Sequence, residues 1–376
     1  MTVAEAAFDL AVVGAGILGL SCARAAARRG LKVVVIERDA GACGASIRNF
    51  GFITVTGQDR DTVWEWARRT RDVWVEVAPA AGIAIVQRGL WVAARRREAV
   101  GVLEAFLRTD MAEGCELLTA DVARRRFPEL VAPGLQAVLV SPHELRVESR
   151  TAIPLLAQWL AREYGVEFRW DTAVRAVAAP RLETSRGRIS AQAVVVCPGD
   201  DLTTLYPERL AAAAVSRCKL QMLRLESPGF AFPATVMADL SLARYGGFAR
   251  LPAAEVLRRR LVLEQPECLT HGIHLIVAQG ADGSLVVGDS HHYDTAAEPF
   301  AAEGVYQLLL KEYGAVTGRP APRVLERWIG TYAVASDRAV LIDSPSPGVR
   351  LVVVTSGVGA STGFAIGEDV IKELCA

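Results

Sequence analysis

The sequence predicts an α/β fold in which a Rossmann-type domain is interleaved with an antiparallel-sheet α+β domain. The chain begins with a short apolar run, a glycine-rich turn, an alanine-rich helix pattern and a second apolar run, which is the order of a βαβ unit. Parallel-strand patterns return near 166–196 and 351–376, and strand-rich material lies between these segments. Because the nucleotide-domain pattern returns after each interruption, two insertions explain the order better than two domains laid end to end.

Composition and charge exclude several classes of protein. Of the 376 residues, 51% are hydrophobic, and 42 basic residues balance 42 acidic ones. This excludes a disordered chain and a polybasic binder of nucleic acid or membrane surfaces. The seven cysteines are scattered with no CxxC pair, so we expect neither a disulfide scaffold nor a zinc ribbon, and we predict a cytoplasmic location. The apolar segment 8–27 contains Asp9 and three glycines, which argues against a membrane span.

The elements follow from hydrophobic periodicity. Phe8–Val13 and Lys32–Ile36 are predicted buried strands, and Ile17–Arg29 is the helix between them. Further helices are predicted over 57–80, 98–111, 150–164, 302–313 and 363–374. Further strands are predicted over 83–92, 166–170, 189–196, 215–225, 261–263, 273–277, 285–288 and 351–354. We therefore assign 1–56, 150–214 and 325–376 to the nucleotide-binding domain, and 57–149 and 215–324 to the other domain.

A dinucleotide fingerprint lies between the first strand and the first helix. Gly14, Gly16 and Gly19 form GxGxxG, which permits a tight turn, close approach to a pyrophosphate, and close packing of helix and strand. The intervening residues Ala15, Ile17 and Leu18 complete the predicted loop. Glu37 ends the second strand, where a carboxylate accepts hydrogen bonds from a ribose diol and repels the 2′-phosphate of NADP.

The segment after the second strand distinguishes FAD from NAD. Its pattern, ER followed by GASxxNxG, resembles the flavin-dependent superfamily that includes D-amino-acid oxidase, glycine oxidase and sarcosine oxidase. The resemblance implies a Rossmann-type FAD-binding domain and flavin contacts from Arg38, Ala45, Ser46, Asn49, Phe50 and Gly51. The strand end with Cys197 and Gly199, and Val174 before it, resemble further cofactor positions of this superfamily.

A second glycine-rich loop lies near the C-terminus. It follows a predicted strand, but too few residues come after it for another βαβ unit, so it must complete a site begun elsewhere. In the resembling superfamily this helix N-terminus points at the pyrimidine end of the flavin, where its dipole favours the anionic reduced ring. The implied cofactor residues here are Gly357, Val358, Gly359, Ala360, Ser361 and Thr362.

The sequence departs from the sarcosine oxidases at two positions. Gly330 stands where those enzymes carry the cysteine that attaches the flavin, so we expect FAD to be held non-covalently and Gly330 to lie beside it. The predicted strand 285–288 lacks their oxygen-activating lysine, which leaves oxygen or another acceptor open for reoxidation.

An acidic substrate group needs a cationic or hydrogen-bonding anchor. Our catalytic-site candidates are Arg48, Tyr245, His292 and Lys219. Arg146, Gln221 and the run 288–293, which contains Asp289 and His291, are further candidates, and for all of them packing or solvation is the alternative. The spacing of Cys268, His271 and His274 could suggest a metal site, but we expect packing and no metal. Trp64, Trp66 and Trp74 are expected to pack a helix against the antiparallel-sheet domain.

These observations favour an FAD enzyme that oxidatively deaminates a small amine bearing an acidic group. Hydride transfer from the α-carbon gives an imine, which water hydrolyses. The ASxRNFG segment with KLQM at 219–222 resembles a subgroup associated with relatives of 2-aminoethylphosphonate. The alternatives are a glycine, D-amino-acid or N-methyl amino-acid oxidase, an NAD-linked dehydrogenase, and a non-catalytic FAD-binding assembly subunit. No nucleic-acid or membrane partner is expected, and a homo-oligomer stays open.

Overall fold

Two β-sheets organise the chain, which crosses between them several times. The computed structural model describes residues 7–128 and 132–375. Its strands are β1 Phe8–Val13, β2 Val33–Ile36, β3 Phe52–Ile53, β4 Ile85–Ala94, β5 Glu116–Thr119, β6 Ala137–Val147, β7 Glu167–Arg169, β8 Val174–Ala178, β9 Arg181–Thr184, β10 Gly187–Val196, β11 Ser216–Leu225, β12 Thr235–Ala238, β13 Ile276–Gln279, β14 Leu285–Gly288, β15 His292–Asp294, β16 Val324–Val334, β17 Val340–Asp343 and β18 Val349–Val354.

The α-helices alternate with these strands. They are α1 Ile17–Ala27, α2 Thr62–Ala80, α3 Arg97–Phe106, α4 Ala120–Arg126, α5 Ser149–Tyr164, α6 Pro207–Ala212, α7 Gly246–Ala249, α8 Ala253–Glu264, α9 Pro266–Thr270, α10 Glu303–Thr317 and α11 Gly359–Leu374. Short 3-10 helices occupy Asp110–Ala112 and Asp239–Ala243. Among the described residues, no helix is both long and apolar enough to cross a membrane.

The first sheet has the order β17-β18-β10-β1-β2-β7. Neighbours along this order are parallel except for β17, which runs antiparallel to β18. Strands β8 and β9 extend the sheet from β10 as antiparallel pairs. The central strands are almost continuously apolar and buried, as expected of a parallel sheet covered on both faces. Helices α1, α5 and α11 share one hydrophobic core with this sheet. The predicted α/β fold with a Rossmann-type domain is confirmed.

The second sheet is mostly antiparallel and has the order β15-β11-β14-β13-β12-β4-β6-β3, with β16 on β11 and β5 on β6. It contains one parallel pair, β12 with β4. Helices α3, α8 and α10 contribute to its core through side chains such as Leu103, Leu257 and Leu309.

Some local predictions differ from the structure. The strand predicted over 261–263 is wrong, because these residues end α8, whose Leu257 and Leu261 face the core at helical spacing. Helix α2, which we assigned to the antiparallel domain, packs against α11, since Trp74 and Val77 are buried in the nucleotide-domain core. Strand β16, which we assigned to the nucleotide domain, pairs with β11 of the second sheet.

Candidate cofactor and substrate site

A cavity of about 460 Å³ lies where residues of both sheets meet. The glycine loops after β1 and β18 line one part of it, and residues after β12, in β13 and after β14 line another. Seven of the predicted cofactor residues do not line it, namely Gly14, Ala15, Glu37, Arg38, Gly51, Val174 and Thr362. The other predicted cofactor residues do.

The loop after β1 requires its glycines. Gly14 has a φ of +102°, and a Cβ there would lie 2.4 Å from the carbonyl oxygen of Cys197. A Cβ at Gly19 would lie 1.9 Å from the carbonyl oxygen of Gly14, so α1 can start this close to β1 only with glycine. Gly16 precedes the helix and lines the cavity, and the first N–H groups of α1 have no helical acceptor. This end of the cavity is suited to a pyrophosphate.

Glu37 is held against this loop. Its Oε2 accepts a hydrogen bond of 2.8 Å from the backbone N–H of Ala15, and its Oε1 accepts one of 3.1 Å from the backbone N–H of Asp39. These bonds keep a carboxylate at the end of β2, where a ribose diol would reach it. The neighbouring Arg38 side chain instead pairs with Asp201 at 2.6 Å.

The segment 45–51 is shaped by its own polar side chains. Ser46 Oγ accepts a hydrogen bond of 2.9 Å from the N–H of Ile17, which joins the segment to the start of α1. Asn49 donates from Nδ2 to the carbonyl oxygen of Ala45 (2.7 Å) and accepts at Oδ1 from the N–H of Gly51 (2.7 Å). Asn49 therefore sets the turn, while Phe50 lines the cavity.

The C-terminal glycine loop closes the cavity from the side of β18. A Cβ at Gly357 would lie 2.9 Å from the Tyr332 ring, which explains a glycine there. Helix α11 begins at Gly359, and residues 357–361 line the cavity. Trp74 of α2 donates a hydrogen bond of 3.0 Å to the carbonyl oxygen of Ala360 and so braces this loop. Gly330 also lines the cavity, beside the backbone of Arg48.

Two arginines and two tyrosines also line the cavity. Arg48 and Arg244 belong to this set, and neither forms an ion pair within the described part of the chain. Arg244 donates a hydrogen bond of 3.0 Å to the Tyr293 hydroxyl. Burial raises the pKa of Tyr245 and of Tyr332, so both hydroxyls stay protonated and can donate.

A buried cluster of His274, Asp289 and His291 lines the same part of the cavity. Asp289 Oδ1 lies 3.0 Å from His274 Nε2, and Asp289 Oδ2 lies 3.7 Å from His291 Nε2. Burial lowers the pKa of His291 to about 3. Burial by itself raises the pKa of Asp289, but the neighbouring His291 and His274 have the larger opposite effect, and the pKa is lowered to about 2. At neutral pH the cluster therefore holds an ionised carboxylate beside a neutral His291.

Some predicted substrate residues lie outside this cavity. Lys219 Nζ bonds the Glu298 carboxylate (3.2 Å) and the carbonyl oxygen of Phe300 (2.9 Å), because its strand turns this side chain toward the 298–302 segment. His292 Nε2 lies 3.0 Å from His271 Nδ1, outside the cavity. The preceding residue, His291, lines the cavity instead, because neighbouring side chains in extended backbone point to opposite sides. Arg146 is buried against Glu148. Gln221 bonds the backbone of Ala302.

Sequence reasoning missed Arg244 and Tyr332, and it singled out Asp289 only as part of the candidate run 288–293. Arg244 directly precedes the predicted Tyr245, and Asp289 stands two residues before the predicted His291. His274 was considered only as part of a metal motif with Cys268, whose buried thiol is not part of the cluster. Of the tryptophans, Trp74 and Trp66 pack against or bond α11 rather than the antiparallel sheet.

Comparisons with known proteins agree with this geometry. The family described as DAO, FAD dependent oxidoreductase, matches residues 9–373. Glycine oxidase from Bacillus cereus ATCC 14579 superposes with a TM-score of 0.77 at 17% identity, over 98% of this chain and 94% of that one. L-Proline dehydrogenase from P. horikoshii superposes with a TM-score of 0.77 at 17% identity, over 97% of this chain and 92% of that one. FAD-bound L-α-glycerophosphate oxidase from Mycoplasma pneumoniae superposes with a TM-score of 0.75 at 15% identity, over 98% of this chain and 95% of that one.

Among curated protein sequences, none matches this chain. The family match covers nearly the whole chain, and both glycine loops, the Glu37 carboxylate and the helix N-termini suit a flavin dinucleotide. The protein belongs to the DAO family of FAD-dependent oxidoreductases.

Proposed function

We propose that this protein oxidises a small amine that carries an anionic group, and that an aminophosphonate related to 2-aminoethylphosphonate is its substrate. Bound FAD supplies the acceptor for the hydride that leaves the substrate carbon. Glycine oxidase, L-proline dehydrogenase and iminodiacetate oxidase, which share the fold, are named for amine substrates, which favours an amine donor here. L-α-Glycerophosphate oxidase, with the same fold, is named for a phosphorylated substrate.

The observation that carries this proposal is the pair of cavity arginines. Arg48 and Arg244 line the cavity, and within the described residues neither guanidinium is neutralised by a carboxylate in an ion pair. Tyr245 adds a protonated hydroxyl to this group. Because guanidinium groups bind carboxylate and phosphonate oxygens through paired N–H donors, this set suits an anion, and a phosphonate offers one oxygen more than a carboxylate.

The chain's other contribution is positioning. Phe50, Phe52 and Ile276 line the cavity with apolar surface, which limits the water around a bound substrate. An anion held by arginine leaves the rest of a small substrate few orientations. Orientation of this kind supplies much of the rate enhancement when no covalent step on the protein is needed.

The decisive test is anaerobic reduction of the bound flavin by a panel of amines. The proposal expects 2-aminoethylphosphonate or a close relative to bleach the visible flavin absorbance, and oxygen or an added acceptor to restore it. Bleaching by glycine, a D-amino acid or an N-methyl amino acid instead would keep the amine oxidoreductase and reject the phosphonate. A flavin that no amine bleaches would favour a non-catalytic FAD-binding subunit.

The anion-anchoring role is tested by Arg48→Ala and Arg244→Ala. Each variant should keep FAD and raise KM by about 10- to 100-fold, because a charge-assisted hydrogen bond contributes about 1.5–3 kcal/mol. Arg188→Ala is the matched control, since that side chain is 80% exposed and lies away from the cavity. An unchanged KM in both cavity variants would reject the arginine anchor.

A further inference from the structure

We propose that His274, Asp289 and His291 form the subsite that binds the substrate's protonated amine. The inference rests on the proposed function, in which the arginines hold the anionic end of the substrate. The subsite would hold the cationic end of the same molecule. The inference goes further by naming the groups that would distinguish an amine from an otherwise identical anion.

The hydrogen-bond pattern of His291 assigns its tautomer. Its Nδ1 lies 2.9 Å from the carbonyl oxygen of Gly272, which can only accept, so Nδ1 carries the proton. The Nε2 atom of the neutral ring is then an acceptor, and it faces Asp289 Oδ2 at 3.7 Å. Two acceptors face each other here without a hydrogen between them, and a ligand N–H placed there would bond both.

The second oxygen of Asp289, Oδ1, has His274 Nε2 as its polar neighbour, at 3.0 Å. Asp289 is 5% exposed, and these two atoms do not meet hydrogen-bond geometry. A buried carboxylate oxygen left in this state costs free energy, which a donor in the cavity would recover.

The charge of the cluster selects a cation with N–H donors. At neutral pH the low pKa of Asp289 leaves it ionised and the low pKa of His291 leaves it neutral, so this pair carries one negative charge and presents acceptors. The titratable and charged groups around His291 are Asp289, His274, Arg244, Tyr245, Tyr293 and Tyr332. Arg244 is the one permanent cation among these groups, and we place the substrate anion there.

A primary or secondary ammonium fits this environment better than a metal ion. Two imidazole nitrogens and a carboxylate are also metal ligands, and their ligand atoms lie within 4.8 Å of one another. However, the positive charge of Arg244 is close enough to lower the pKa of both His291 and Asp289. The same charge repels a doubly charged metal ion more strongly than a singly charged ammonium. The Tyr245 ring lies 5.5 Å from the His274 ring, so groups suited to an anion and to an ammonium are neighbours, as a small substrate requires.

The test compares ligands that differ only in the amine. FAD-loaded protein is titrated anaerobically with 2-aminoethylphosphonate against ethylphosphonate, and with glycine against acetate, and affinity is read from the flavin spectrum. The wild type should bind the amine member of at least one pair 10-fold or more tightly. Asp289→Asn should lose that preference while keeping its FAD and its affinity for the ligand without the amine. Asp282→Asn, an aspartate outside the cavity, is the matched control.

Binding and turnover separate the two proposals. If 2-aminoethylphosphonate is not oxidised but the amine preference depends on Asp289, the substrate assignment fails and the ammonium subsite stands. An amine preference that survives in Asp289→Asn, or no preference in either pair, overturns the subsite.

Two further measurements keep the inference testable if Asp289→Asn fails to fold. The N-trimethylated analogue of 2-aminoethylphosphonate lacks N–H donors, so wild-type protein should bind it no better than ethylphosphonate, and tighter binding overturns the proposal. Elemental analysis of purified wild-type protein should find no stoichiometric divalent metal, and one metal ion per chain would overturn it in favour of a metal site.

Discussion

At the scale of the residue, His291 links the site to the stability of the fold. Burial lowers its pKa from the ordinary 6.5 to about 3, so the folded protein resists protonating it while the unfolded chain does not. Between pH 6.5 and pH 3 the unfolded state therefore binds more protons at this residue. The stability contributed by the neutral ring is complete above pH 6.5 and falls as the pH drops toward 3.

Replacing the ring should remove this dependence. We expect the free energy of unfolding of the wild type to fall by about 2 kcal/mol more than that of His291→Gln between pH 7 and pH 5. Denaturant titrations at saturating FAD measure it. His143→Gln, at a partly exposed histidine away from the cavity, should follow the wild type. Parallel pH profiles for wild type and His291→Gln would contradict the buried neutral state.

Residues of the cofactor loops could be predicted from local motifs, whereas only some residues of the substrate cavity, such as Arg48 and Tyr245, could be predicted. Gly14 and Glu37 act through local backbone geometry, which leaves a fixed spacing in the sequence. Arg244 and Asp289 are brought together by strands far apart along the chain, and neither belongs to a short motif. His292 was preferred over His291 because the sequence does not say which neighbour faces inward.

At the scale of the element, the two ends of α1 require glycine for different reasons. Gly14 and Gly30 flank α1, and both have a positive φ, of +102° and +79°. A Cβ at Gly30 meets nothing within 4 Å, whereas one at Gly14 collides with the Cys197 carbonyl. Gly30 is required only by its backbone conformation, while Gly14 is also required by the neighbouring strand.

This pair gives a matched test of the cofactor loop. Gly30→Ala should cost about 1 kcal/mol of stability and keep a full complement of FAD, because only the left-handed conformation is penalised. Gly14→Ala should displace the loop and lower the ratio of flavin to protein absorbance by several-fold. Equal FAD content in the two purified variants would show that the approach to Cys197 does not govern the cofactor site.

Element prediction succeeded where the hydrophobic pattern of the element was unambiguous within its own residues. Strand β14 has the predicted bounds, and the helix predicted over 150–164 begins one residue earlier. The strand predicted over 261–263 failed because three apolar-rich residues cannot reveal the helical spacing that buries Leu257 with Leu261. Strand β16 was missed because most of its residues are only partly buried, so its apolar signal is weak.

At the scale of the whole molecule, the cavity is a joint product of both sheets. Its nucleotide part comes from loops after β1 and β18, and its substrate part comes from segments that follow β12 and β14. Helix α2 braces the nucleotide part, since Trp74 packs edge-on against Phe364 and bonds the first turn of α11.

The same arrangement predicts how the flavin is held. Gly330 lines the cavity in place of an attaching cysteine, and we expect acid precipitation of the protein to release all FAD into the supernatant. Cys197 also lines the cavity, but a hydrogen bond with Cys22 together with burial raises the pKa of its thiol, which keeps it unreactive. Flavin that stays with the precipitated protein would contradict non-covalent binding, and Cys197 would be the first residue to replace.

The sequence by itself determined the fold class and a dinucleotide-binding loop, because each depends on interactions between residues close along the chain. Glycine spacing, buried apolar runs and Glu37 at a strand end are local requirements of binding a dinucleotide at a helix N-terminus. Only the tertiary structure decided which polar side chains meet in the substrate cavity. Arg48, Arg244 and Asp289 come from three distant segments, and their convergence depends on strand register and on which face of each strand points inward.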